Sequence, residues 1–189
     1  MSHGTRSDLG LRALRVGVGG TLVAHGTQKL FGWFGGHGIS GTTGAMQAMG
    51  FHPAKASAVL AGLGEAGGGT LLALGLATPV GGAAAMSTMI AAGSVHAPAG
   101  FFAMQGGWEY TGVLGLIGAA LAVSGPGRFS ADEVLGDRFN QPWMTSVALI
   151  GLGGAAAALV VRRQQALVAA PTTAADQVAQ GENTAATGG

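Results

Sequence analysis

The most chemically informative residues lie in the segment VAHGTQKLFGWF (23–34), where a histidine and a lysine stand four residues apart in an apolar stretch. Residues three and four apart are neighbours on an α-helix, so His25, Gln28 and Lys29 would share one helical face. Ionisable groups inside a bilayer are costly, and they usually face the protein interior and mark functional sites. The segment therefore predicts a polar site inside a membrane protein.

The composition also favours a membrane protein. Charged residues make up 9% of the chain and hydrophobic residues 48%, whereas a soluble domain carries about 25% charged residues. Glycine, at 37 of 189 residues, suits the close approach of helices in lipid. The net charge of +1 argues against nucleic-acid binding. Because the chain has no cysteine, it has neither a disulfide nor a thiol nucleophile.

The elements that must position the polar residues are five apolar stretches, and a helix needs about 20 such residues to cross a bilayer. We predict an all-α integral membrane four-helix bundle with a fifth transmembrane helix. The four spans lie at about 11–31, 54–76, 79–96 and 108–124, and the fifth at 142–161 within a linker-and-helix segment, 136–163. A short helix is expected at 40–51, and residues 164–189 are expected to form a disordered tail.

Two short sequence patterns predict helix starts. Thr78 followed by Pro79 combines a hydroxyl cap with a residue whose missing N–H is not needed there. Ser130 with Glu133 three residues later matches a capping box.

The charges predict an orientation. The first span has the charge and length of a signal peptide, but it lacks a small-residue cleavage site, so we interpret it as a retained anchor. The positive-inside rule, with Arg6, Arg12 and Arg15 at the start of the chain, favours a cytoplasmic N-terminus (residues 1–10) and a multi-pass protein of the cell membrane. The pair Arg162–Arg163 is evidence against this orientation or against a fifth crossing.

With this orientation, four ionisable residues approach the outer membrane level: His25, Lys29, His96 and Glu109. Glu65 lies about 16 Å into the second span, where a carboxyl group needs a partner or a proton. Lys29 would either pair with a carboxylate or snorkel to the interface. Trp108 and Tyr110 would either line a ligand pocket or anchor the helix at the interface. Since His25 and His96 show no metal-ligand spacing, no metal or haem is expected.

Several sequence blocks resemble the DoxX family. They are AHGTQKLFGWFGGHGISGT (24–42), AGLGEAGGGTLLALGLATP (61–79), VH (95–96), GGWEY (106–110) and GPGRFSAD (125–132). The resemblance implies a four-helix integral membrane domain over about 11–135. It also implies a link to quinone-dependent oxidoreduction, as in the membrane part of thiosulfate:quinone oxidoreductases, beside a soluble redox or sulfur-transfer protein. The positions that match the family's polar blocks are His25, Lys29, Glu65, His96, Glu109 and Tyr110.

Three functions are compatible with these features. In the first, the bundle holds a quinone: His25 and Glu109 handle protons, Lys29 stabilises charge on a quinol oxygen, and Glu65 is a buried relay. His96, Trp108 and Tyr110 would then contact the cofactor. In the second, the protein is a non-catalytic anchor for a soluble redox or sulfur-transfer partner. In the third, it transports a small molecule. Partners would be the lipid bilayer and a second copy of the chain in a homo-oligomer, but no nucleic acid.

Overall fold

The computed structural model describes residues 3–169, and every regular element in that range is helical. The α-helices are α1 (His3–Phe31), α2 (Gly38–Ala48), α3 (Ala54–Leu74), α4 (Thr78–His96), α5 (Glu109–Ser124), α6 (Ala131–Val134) and α7 (Pro142–Ala169). Short 3₁₀ turns occupy Trp33–Gly35, Ala97–Ala99 and Ala103–Gln105. The four predicted spans and the short predicted helix therefore all correspond to helices.

The long helices pack in sequence order. α1 packs on α3, α3 on α4, and α4 on both α5 and α7, while α2 lies over the junction of α1 and α3. We call the end of the bundle where α1 ends and α3 begins the upper end. The opposite end, where α3 passes into α4, is the lower end.

Glycine allows these helices to touch backbone to backbone. A Cβ added at Gly26 of α1 would lie 2.7 Å from the carbonyl oxygen of Gly62 and from the Cβ of Ala66, both on α3. One added at Gly82 of α4 would meet Gly118 and Ala122 of α5. Where lipid surrounds the helices, such close contact replaces the hydrophobic effect as the force that holds them together.

Apolar side chains cover the outside of the bundle as well as its core. The core contains Val18, Leu22, Leu72, Leu114 and Leu121 among others. Large apolar side chains on the outer surface are more than half exposed, among them Leu60, Leu63, Leu116, Val123 and Ile150. Exposure of such an apolar surface to water is unfavourable, whereas contact with lipid is not. By length and composition, α3 and α7 are the two described helices that can cross a membrane.

α7 extends along the whole bundle. At the lower end the Thr145 hydroxyl donates to the Ala122 carbonyl (3.3 Å). At the upper end Arg163 donates to the carbonyls of Met49 (2.8 Å) and Ser94 (3.1 Å) and lies over the Phe51 ring. Arg163 is thus buried against α2 and α4.

The first and last helices are longer than predicted. α1 already begins at His3, so the predicted N-terminal segment joins the first helix. α7 continues to Ala169, so the predicted disorder of residues 164–169 is wrong. The physical reason is that Arg163 fixes α7 to the bundle and Leu167 packs against Gly50, which extends the helix beyond its most apolar part. The rest of the predicted tail lies outside the described residues.

Candidate functional site

An ion pair lies at the crossing of α1 and α3. Lys29 Nζ is 2.5 Å from Glu65 Oε2. The Glu65 side chain is 5% exposed and that of Lys29 is 28% exposed, so the carboxylate is deeper than the ammonium group. Gly26 lets the two helices approach closely enough for the two side chains to meet. The predicted pairing of Lys29 with a carboxylate is therefore confirmed, and its partner is Glu65.

A second polar contact joins α1 to α5. His25 Nε2 is 3.2 Å from the Tyr110 hydroxyl, and the two rings meet edge to face. His25 lies one helical turn from Lys29 on α1, so the two contacts are neighbours. These four residues, His25, Lys29, Glu65 and Tyr110, form one group on three helices, which we call the polar cluster. An imidazole, a phenol and an ion pair in this arrangement are groups that can exchange protons.

Glu109 and His96 do not join the polar cluster. Glu109 Oε2 accepts a hydrogen bond from the Ala103 backbone N–H (3.0 Å). His96 Nδ1–H donates to the Gly106 carbonyl (2.8 Å). Both side chains therefore order the loop between α4 and α5. Neighbouring helix positions point about 100° apart, and this is why Tyr110 meets His25 whereas Glu109 turns to the loop.

Trp108 lies apart from Tyr110. Its ring packs edge-on against Phe101, with the ring centres 5.1 Å apart. It also lines an apolar cavity of about 520 Å³ between α4, α5 and α7. Sequence reasoning placed Trp108 and Tyr110 at one ligand site, but the structure assigns them to different faces of the bundle.

A smaller polar cavity of about 250 Å³ adjoins Lys29. It lies under the turn that follows α1, and its lining comprises Gln28, Lys29, Gly35, Gly36, His37 and Thr42. Two hydrogen bonds close this region: Gln28 Nε2 donates to the Phe34 carbonyl (3.2 Å), and Thr42 Oγ1 donates to the Lys29 carbonyl (3.1 Å). His37 therefore lies in the same cavity wall as Lys29.

The sequence did not reveal a second polar centre at the lower end. Asp132 is fully buried and accepts hydrogen bonds from Ala77 N (2.9 Å), Thr78 N (3.2 Å) and Thr78 Oγ1 (3.3 Å). It therefore caps α4 in place of the Thr78 hydroxyl, which the sequence had suggested as the cap. Ser130 Oγ accepts from Glu133 N (3.2 Å), as the capping-box pattern predicted.

Arg15 completes this lower centre and is fully buried. Its Nη2 donates to the Phe129 carbonyl (2.7 Å). Among the described residues, its Nε and Nη1 are the buried side-chain atoms without a hydrogen-bond partner. The positive-inside rule uses Arg15 only as an orienting charge, because a pattern of charges does not show which helix face is covered.

A helical bundle with an apolar outer surface and buried charges is typical of helical membrane proteins. Residues 10–98 match the family model DoxX, which supports membership of the DoxX family. The match includes His25, Lys29 and Glu65, whereas Tyr110, Asp132 and α7 lie beyond it. Comparison with curated proteins and with solved structures gives no match.

Proposed function

We propose that this protein is the multi-pass membrane subunit of a quinone-linked oxidoreductase system, with the lower end of the bundle in the cytoplasm. The observation that carries the proposal is the polar cluster. An imidazole, a phenol and an ion pair meet on three helices among apolar side chains. Such groups are expensive to bury in a membrane and are retained where they move protons or bind a ligand.

The residues of the cluster fit a quinone ring. A quinone carbonyl accepts hydrogen bonds, and the hydrogen-bonded pair of Tyr110 and His25 can donate one. Tyr110 is 47% exposed on the outer surface of the bundle, so a ligand can reach it from the lipid. A bound quinone would supply two-electron, two-proton redox chemistry at this position.

The protein's own residues then have separate tasks. Tyr110 and His25 orient the ligand oxygen and exchange a proton with it. Glu65 and Lys29 form an ion pair that exchanges protons with Tyr110 and His25. Because the chain contains no cysteine, we assign the electrons to a soluble redox partner that docks on the membrane domain. A soluble sulfur-transfer protein fits the same place in the system.

Quinone binding tests the proposal. The protein is purified in mild detergent, its quinone content is measured after solvent extraction, and it is then titrated with a short-chain ubiquinone analogue. Tyr110→Phe keeps the ring and removes one hydrogen bond, so the dissociation constant should rise about three- to tenfold. Glu109→Gln is the matched control, because Glu109 is adjacent to Tyr110 in sequence but its side chain hydrogen-bonds to the loop between α4 and α5. This variant should bind quinone as tightly as the unaltered protein does.

Absence of extracted quinone together with absence of binding would refute the proposal. The protein would then be better described as an anchor that recruits the soluble partner without binding the electron carrier. Equal affinities for Tyr110→Phe and the unaltered protein would remove the polar cluster from the binding site.

A further inference from the structure

Lys29 has two different surroundings. On one side its ammonium group binds Glu65, which is 5% exposed. On the other side it lines the polar cavity, and 28% of its side chain is exposed. The residue therefore connects a buried carboxylate to a space that opens at the upper end of the bundle.

The lining of the polar cavity suits water. Besides Lys29, it offers the imidazole of His37 and the amide oxygen of Gln28, together with glycine backbone, whereas the Thr42 hydroxyl already donates to the Gly38 and Lys29 carbonyls. A cavity that holds water needs polar partners for that water as well as space. About 250 Å³ gives room for several molecules, each taking about 30 Å³ in the liquid.

The apolar cavity between α4, α5 and α7 provides a contrast within the same protein. Its two hydroxyl groups are occupied by backbone carbonyls: Ser94 donates to Ala91 (2.7 Å) and Thr111 to Trp108 (2.8 Å). Its lining carries no charged side chain and no imidazole, whereas the polar cavity has Lys29 and His37. Water is therefore favoured in the cavity beside Lys29 and disfavoured in the cavity beside Trp108.

The turn that follows α1, residues 32–36, folds back over the polar cavity. Gly32, Phe34 and Gly35 all have positive φ values, which turn the chain sharply back over the end of α1. A Cβ at Gly36 would lie 2.5 Å from the Gln28 carbonyl oxygen, so only glycine allows the turn to pack this closely. The short α2 then continues across Lys29 through the Thr42 hydrogen bond.

We propose that the polar cavity is the aqueous proton entrance of the polar cluster. Lys29 donates a proton from its ammonium group to the Glu65 carboxylate, and the neutral amine then takes a proton from a hydronium ion in the cavity, which leaves water there and restores the ammonium group. Tyr110, at the other side of the cluster, faces the lipid. The cluster thus has a water-side access through Lys29 and a lipid-side access through Tyr110. This deepens the proposed function by separating the route of protons from the route of the quinone.

Cysteine accessibility tests the entrance directly, because the natural chain has no cysteine. Thr42→Cys places a thiol in the cavity wall, whereas Thr27→Cys is the matched control on α1. The two threonines are similarly buried, at 9% and 7% exposed, but only Thr42 lines the cavity. The probe is the anionic, lipid-insoluble reagent 2-sulfonatoethyl methanethiosulfonate, applied to the full-length protein in detergent or vesicles.

We expect Thr42→Cys to react at least about tenfold faster than Thr27→Cys, since the control must first open locally. Both thiols should react equally after denaturation, which shows that each is chemically competent. Equal rates in the folded protein, or protection of both, would overturn the proposal.

A second pair covers the case in which Thr42→Cys fails to fold. Gln28→Cys lines the cavity, whereas Ala24→Cys lies one turn deeper on the same helix with similar partial exposure. Gln28→Cys should be the faster. These rates do not depend on quinone binding. A dry cavity with normal quinone affinity would therefore refute the entrance alone, and a wet cavity with no quinone binding would refute the proposed function alone.

Discussion

Lys29 holds three helices together through two different groups. Its Nζ lies 2.5 Å from Glu65 Oε2 on α3, and its backbone carbonyl accepts the Thr42 hydroxyl of α2 at 3.1 Å. The Lys29 side chain therefore joins α1 to α3, while the Lys29 main chain holds α2 over the ion pair. Loss of the side chain should weaken the first contact without directly removing the second.

The ion pair can be measured by a double-mutant cycle. Glu65→Gln leaves the Lys29 cation without its partner, and breaking a buried pair costs about 3–5 kcal/mol. Because Lys29 is partly exposed, we expect a loss of about 2–3 kcal/mol in the free energy of unfolding. The double variant with Lys29→Met should lose less than the sum of the two single variants. Denaturant unfolding in detergent of all four proteins gives the coupling, and strictly additive losses would contradict the pair.

The same double variant separates folding from function. Folding requires that the two side chains satisfy each other, whereas proton exchange requires their charges. We therefore expect the double variant to recover part of its stability but to show no recovery of quinone-linked activity, measured with the soluble partner in vesicles. Recovery of both together would show that Glu65 and Lys29 have a structural task alone.

Gly26 is one of the glycines that let α1 contact the α3 backbone. Gly26→Ala would place a methyl group against the α3 backbone, and overpacking of this kind costs about 1–3 kcal/mol. Gly20→Ala is the control on the same helix, where a Cβ meets nothing within 4 Å. It should be neutral or stabilising by up to about 1 kcal/mol, because alanine favours helix. Thermal unfolding in detergent compares the two, and equal melting temperatures would contradict the close approach.

Asp132 should matter far more than its neighbour. Asp132→Ala removes the acceptor for Ala77 N, Thr78 N and the Thr78 hydroxyl, so we expect a loss of about 2–4 kcal/mol in the free energy of unfolding. Glu133→Ala alters an exposed side chain and should change this free energy by less than about 0.5 kcal/mol. Comparable losses in the two variants would mean that Asp132 does not cap α4.

The path of α7 predicts which residues share one side of the membrane. Cysteines at Met104, which is fully exposed, and at Arg162 should both be labelled by an impermeant maleimide in intact cells. A cysteine at Glu133, at the lower end, should be labelled after the cells are opened. Labelling of Arg162→Cys together with Glu133→Cys would show that α7 does not cross, and labelling of Glu133→Cys alone in intact cells would reverse the proposed orientation.

The sequence by itself determined the helices. Apolar stretches of sufficient length predicted each long helix, and the polar segment 24–29 identified the part of α1 that faces other helices. Pairing of Lys29 with a carboxylate was one of two alternatives that the sequence left open, and the structure shows that it occurs and that the partner is Glu65. These features depend on local composition and on the cost of burying charge, and both can be evaluated along the chain.

The tertiary structure decided which polar residues meet. Glu109 and Tyr110 are adjacent in sequence, yet the rotation of α5 directs one to the loop and the other to His25. Arg15, Asp132 and Arg163 are buried by tertiary contacts, and their sequence surroundings did not predict this burial. Helix rotation and crossing angle are set by where glycine permits close contact between distant segments. A linear pattern of residue types does not contain that information.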